Sequence, residues 1–155
     1  MEYLNYLLAV VICFISIYAG FFLALIAKEE LKAGNKYFLV FQKAILAVVV
    51  VSTIFVIDNV YVSFILLGVL VYFMFIAHHV KDIFIYLLFG VLLYLNSEYG
   101  NLFLMQSALV FLYGLPAGSL LTFKMIRRKK SKILTSIFMK YIWFVVVALV
   151  LFMVF

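Results

Sequence analysis

Residues 4–27, LNYLLAVVICFISIYAGFFLALIA, run for 24 positions without one charged side chain. An α-helix rises 1.5 Å per residue, so this stretch makes about 36 Å of rod that is apolar on nearly every side. A bilayer's hydrocarbon core is about 30 Å thick and needs roughly 20 such residues. The run reads as a membrane span. A secretory signal fits less well, because no basic residue precedes Leu4, the run is too long for an h-region and no small-residue cleavage site follows. An uncleaved first span is therefore expected, with Glu2 ahead of it and Lys28 behind.

The rest of the chain repeats this pattern. Of 155 residues, 70% are hydrophobic, 19% aromatic and 12% charged, and mean hydropathy is +1.33. A soluble domain is about half apolar and a quarter charged. The excess cannot be hidden in one small core, since a water-soluble fold must cover itself with polar surface. One Pro and seven Gly also exclude a disordered or fibrous chain. Apolar runs between charges predict six transmembrane helices, at Leu4–Ala27, Phe38–Ile57, Val60–Ala77, Ile83–Leu95, Leu102–Phe123 and Ile133–Phe155. The linkers are short, so residues 1–155 are expected to be a single transmembrane domain. The predicted fold is an all-α integral membrane bundle of three hairpins.

Charge orients it. The loops at 28–37, 78–82 and 124–132, with the helix ends beside them, hold all twelve basic residues. These are Lys28, Lys32, Lys36, Lys43, Lys81, Lys124, Arg127, Arg128, Lys129, Lys130, Lys132 and Lys140. The opposite side holds Glu2, Asp58 and Glu98 and no Lys or Arg. Lys/Arg bias in short loops sets topology, so the basic side is expected to be cytoplasmic, with N-out and C-out termini in a cell membrane. The fourth run has only 13 residues, about 20 Å of helix, which alone suits a re-entrant segment. Were it not to cross, the Lys124–Lys132 cluster would move outside. Five spans is the alternative. The three basic turns recur at a period of 50, aligned on Ile26, Ile76 and Ile126. Two helices of bilayer length plus short turns account for that spacing without a true repeat.

Within this frame, Lys28–Ala33 is expected to extend the first helix beyond the bilayer until Gly34 and Asn35 stop it. Gly114-Leu115-Pro116-Ala117-Gly118 is a G-x-x-x-G motif with a proline inside it. Small residues let helix backbones approach in lipid, and Pro116 cannot donate to the Leu112 carbonyl, so a packed kink is expected there. A kink can alternatively line a binding site. Tyr3, Tyr6, Tyr61, Tyr94 and Tyr99 at one interface, with Tyr37, Tyr141 and Trp143 at the other, read as aromatic belts.

Chemistry is sparse. Ionisable residues at the bilayer midplane mark ion or proton paths, and none falls there. Ser16, Gln42, Ser52, Thr53, Gln106 and Ser107 are enough for interhelical hydrogen bonds but thin for a hydrated path. His78, His79 and Asp82 are the weak catalytic candidates, since His78 and Asp82 share a face if helical and suit acid–base or metal chemistry on a headgroup. No second ligand pair supports them, so no metal or other cofactor is expected. Cys13 reads as a small packing residue. Lys124, Arg127, Arg128, Lys129, Lys130 and Lys132 form the densest charge, expected to fix topology and to attract anionic lipid headgroups; no module suited to nucleic acid accompanies them.

Ile26–Phe38 (IAKEELKAGNKYF) and Tyr113–Leu120 (YGLPAGSL) together resemble small polytopic archaeal membrane proteins of unknown function. That resemblance implies a multi-span fold and no activity. The expected function is a non-enzymatic membrane subunit or assembly partner, with a homo-oligomer or another membrane protein as partner. The alternatives are a passive channel or small-solute transporter at Pro116 and, behind it, an inner-surface lipid-modifying enzyme.

Overall fold

A computed structural model describes residues 3–57, 59–73, 82–125 and 129–154, apart from the side chains at 28, 30, 32, 33 and 82. The described residues are helical with short joints. The helices are α1 (Tyr3–Ile26), α2 (Lys28–Val56), α3 (Val60–Val71), α4 (Asp82–Leu95), α5 (Gly100–Lys124) and α6 (Lys130–Val154). Four of them, α1, α2 from Gly34 onward, α5 and α6, are long and apolar enough to cross a membrane, while α3 and α4 are shorter apolar helices. The described residues are thus all-helical, with four helices of the length and composition of membrane spans.

Side-chain contacts fix the helix directions. Tyr6 stacks on Phe103, Cys13 bonds to Ser107 and Ser119 bonds to Gly20, so α1 and α5 run parallel. Tyr6 also meets Phe152, and Phe14 meets Phe138, so α6 runs against α1. Gln106 near the start of α5 reaches Val49 and Thr53 near the end of α2. Asn96 at the far end of α4 reaches Gln106, and Tyr86 near its start meets Tyr113. Helices α2, α4 and α6 thus point one way and α1 and α5 the other. The Tyr3–Phe152 ring contact, 5.8 Å between centroids, puts the first and last described turns side by side. The Lys-bearing ends of α2, α5 and α6 lie together at the other end, called the basic end below.

Packing does not follow the hairpins of the sequence. Among the described residues α5 is the hub, pairing most extensively with α1 and then with α2, while α4 pairs with α6. Helices α1 and α2, neighbours in sequence, touch little. Helix α3 packs on α2 and leaves most of its surface bare. Its start is well defined, because Asn59 Oδ1 accepts from the backbone N–H groups of Tyr61 (3.0 Å) and Val62 (3.3 Å), meeting two of the donors that a helix start leaves open.

Two expectations are corrected and a third lies outside the described residues. The first helix does not run to Gly34, because non-helical backbone at Ala27 (φ −107°, ψ 47°) ends it, and residues 28–36 are the first turns of α2. Glycine inside a helix costs only about 1 kcal/mol, and Gly34 lies 3.7 Å (to a built Cβ position) from the Phe38 ring within the continuous α2. Tyr6 and Tyr141 are not belt residues. Both are fully buried, Tyr6 donating to the Ala148 carbonyl at 3.1 Å and Tyr141 packing on Tyr86. The alignment of basic turns at a period of 50 rests on Ile76 and Ile126, which lie outside the described residues.

Candidate functional site

Three arrangements converge on α5. The first is the seam with α1. A Cβ built on Gly20 would run into the Leu115 carbonyl, and one on Gly118 into the Ile17 carbonyl; one on Gly114 would overlap the Ser16 hydroxyl. Backbones meet here with nothing between them. Without water to drive apolar burial, helices in lipid gain from such van der Waals contact and from interhelical hydrogen bonds. Ser119 supplies one, donating to the Gly20 carbonyl at 2.8 Å. Gly114 and Gly118 are therefore spent inside the chain, facing α1, and cannot also seat another copy.

The second is a buried amide cluster near the end opposite the basic one. Gln106 Nε2 donates to Thr53 Oγ1 (2.8 Å) and Ser52 Oγ (3.1 Å) and lies 3.3 Å from the Val49 carbonyl. Asn96 Nδ2 lies 3.0 Å from both Thr53 Oγ1 and Gln106 Oε1, and 2.8 Å from its own helix's Leu92 carbonyl. Thr53, Asn96 and Gln106 have no exposed surface. The cluster ties α2, α4 and α5 by neutral groups that neither gain nor lose a proton at ordinary pH. It is a structural lock and offers no nucleophile.

The third is a lateral groove. Because α1 and α2 diverge from Ala27, the side of α5 between them stays uncovered. Leu23 and Ala27 form one wall, Leu31, Phe38 and Phe41 the other, and Leu112, Leu115, Pro116 and Ser119 the floor. The cavity holds about 330 Å³. Leu23, Phe41 and Leu112 are 41–49% exposed, so the groove opens on the bundle's flank. Its one polar lining residue, Ser119, has its hydroxyl engaged with Gly20. A cleft of this volume falls in the range of about 300–1,000 Å³ used for small ligands, and its chemistry admits apolar matter only.

Of the residues singled out from sequence, Gly114 and Gly118 face α1, and Pro116 is in the groove floor. Helix α5 continues unbroken through Pro116. Lys124, Lys129, Lys130 and Lys132 sit at the basic end, the last three leading into α6, and all four are exposed. Arg127, Arg128, His78 and His79 lie outside the described residues, as does the side chain of Asp82, although its backbone opens α4. Among the described residues no group of three His, Cys, Asp or Glu comes together.

The groove walls escaped sequence reading because a Leu or Phe that lines a cleft has the composition of one that faces lipid. One signal was present. Ala27, the small residue between the last apolar turn and Lys28, marks the joint from which the two walls part. A ring cluster was also missed, in which Tyr86 of α4 meets Phe89, Tyr113, Tyr141 and Phe144 and joins three helices. In comparisons with known proteins, no family model, no curated protein and no solved structure matches this chain significantly.

Proposed function

We propose that this chain is a non-enzymatic multi-pass component of the cell membrane that works by holding an extended apolar chain in its lateral groove. In this reading it crosses the bilayer six times, with the basic end cytoplasmic and both termini outside. Alternating helix directions support an even number of crossings, and the gathering of Lys at one end supports the orientation. The observation that carries the function is the groove itself, a lateral cleft of about 330 Å³ with an apolar lining. A conduction path for a hydrated solute needs polar groups along its walls, and this cleft offers only a hydroxyl already bonded to Gly20. The facilitator reading is the weaker one for that reason.

The test uses purified protein extracted in mild detergent. Native mass spectrometry is expected to find a retained amphiphile, lost when Leu112→Trp fills the cleft from its half-exposed floor. Vesicles carrying the protein are expected to leak small solutes no faster than protein-free vesicles. Solute flux above that blank, together with an empty groove, would replace this reading with the facilitator.

A further inference from the structure

We propose that the groove seats one acyl chain of an anionic phospholipid, with the headgroup phosphate held among the lysines of the basic end. This rests on the groove reading above and names its occupant. Three observations carry it.

The first is shape. Along α2 the lining runs from Leu31 to Phe41, ten residues or about 15 Å of helix, which is half the hydrocarbon thickness of a bilayer. The cleft is apolar and opens along the bundle's flank, a shape that an extended hydrocarbon chain can follow, while a compact ligand would leave most of the length empty.

The second is position. The groove begins at the joint between α1 and α2, where Ala27 and Leu31 line it. A chain lying along it would have its polar head at the same level as the start of α2 and the end of α5.

The third is charge. Lys36 lies on α2 between the lining residues Leu31 and Phe38, part-way along the groove, and Lys124 lies five residues, about 7.5 Å, beyond the lining Ser119 at its head. Both are exposed. Lys129, Lys130 and Lys132 follow at the start of α6. The acids that the sequence puts at this end are Glu29, which is exposed, with Glu30 beside it and Asp82 at the start of α4. They offset only part of that charge. The apolar walls do not distinguish one lipid from another, because every acyl chain in the bilayer offers the same contacts. Selection must come from the headgroup, and lysines near a membrane surface attract anionic ones.

The experiment compares two tryptophan reporters in vesicles containing lipids with brominated acyl chains, which quench on contact. One is Phe41→Trp in a Trp143→Phe background, placing the reporter in the groove wall. The other is native Trp143, which is half-exposed on α6 away from the lining. Brominated phosphatidylglycerol is expected to outcompete brominated phosphatidylcholine about fivefold at position 41, the effect of roughly one lysine–headgroup attraction, and to show no preference at Trp143. Lys36→Gln with Lys124→Gln, both at exposed positions, is expected to reduce the preference, and adding Lys129→Gln, Lys130→Gln and Lys132→Gln to abolish it, while quenching at 41 persists. High salt should weaken the same preference without any substitution. If quenching at 41 is stronger and saturable but blind to headgroup, the phosphate seat is wrong and the groove reading stands. If position 41 and Trp143 respond identically to every lipid, both fall.

Discussion

Between Leu112 and Ser119, helix α5 meets two unlike surroundings. Toward α1 it presents Gly114 and Gly118, and the two backbones close until no Cβ fits between them. Toward the gap between α1 and α2 it presents Leu112, Leu115 and Pro116, which floor the cleft, with Leu112 41% exposed and Pro116 buried at the bottom. The same two turns of helix thus make a contact too close for a Cβ on one side and the floor of the open cleft on the other. Size of side chain separates the two faces, since both are apolar. In lipid the distinction matters more than in water, because apolar surface gains little merely by leaving the solvent and only close fit holds helices together.

The strongest way to break the contrast is to enlarge one residue on each face. Gly118→Leu would drive a side chain into the Ile17 carbonyl, against backbone that cannot turn aside. Overpacking of that kind is expected to cost at least about 3 kcal/mol. The variant should lose its folded, monodisperse state in detergent. Leu112→Trp, on the open face, is expected to change stability by less than about 0.5 kcal/mol. Reversible unfolding in mixed micelles measures both. Equal losses would mean that the open face is a packed interface after all.

A smaller effect tests whether the seam alone positions α5. Toward the end opposite the basic one, hydrogen bonds take over from close packing, with Gln106 reaching Thr53 and Ser52 of α2. Interhelical hydrogen bonds in membranes are worth about 0.6 kcal/mol on average and rarely more than 1.7. Gln106→Leu is therefore expected to lose about 1–2 kcal/mol, and Asn96→Leu a similar amount. The double variant should cost less than their sum, because the two amides bond to one another. Strict additivity would sink the idea that they act as one lock.

How legible this was follows from the physics of each region. The seam was half readable, because two glycines four apart with a serine after them are unusual in a lipid-facing helix. Their partner was not readable, since Gly20 and Ser16 carry no mark that says which helix they meet. The groove was unreadable, since its lining differs from lipid-facing surface only in what its neighbours fail to cover. The joint at Ala27 was misplaced because Gly34 looks like the better stop. Local propensity favours a break at glycine by about 1 kcal/mol, and the continuous α2 overrides so small a bias. Tyr6 and Tyr141 were misread because an interfacial depth does not exclude burial. A tyrosine whose hydroxyl finds a carbonyl, as Tyr6 finds Ala148, can sit at that depth inside the bundle.

The smallest expected effect extends the comparison to α3, the helix with the least cover. A Cβ at Gly68 would meet nothing within 4 Å, whereas one at Gly90 would lie 3.4 Å from the Phe144 carbonyl and 3.6 Å from the Ala148 amide nitrogen. Alanine removes glycine's backbone entropy cost in either place, about 0.5–1 kcal/mol. At Gly68 nothing opposes that gain, so Gly68→Ala should stabilise the protein by that amount in a thermal melt. At Gly90 the tight contact with α6 offsets it, and Gly90→Ala should be near neutral. Measured in detergent, where the chain is separated from other membrane components, the gain at Gly68 is a property of the monomer. Repeated in native membranes, the same substitution probes what lies against α3 there. A gain that turns into a loss on that change would place a second protein backbone against Gly68, as a subunit role requires. An unchanged gain would leave α3 facing lipid and the groove as the working surface.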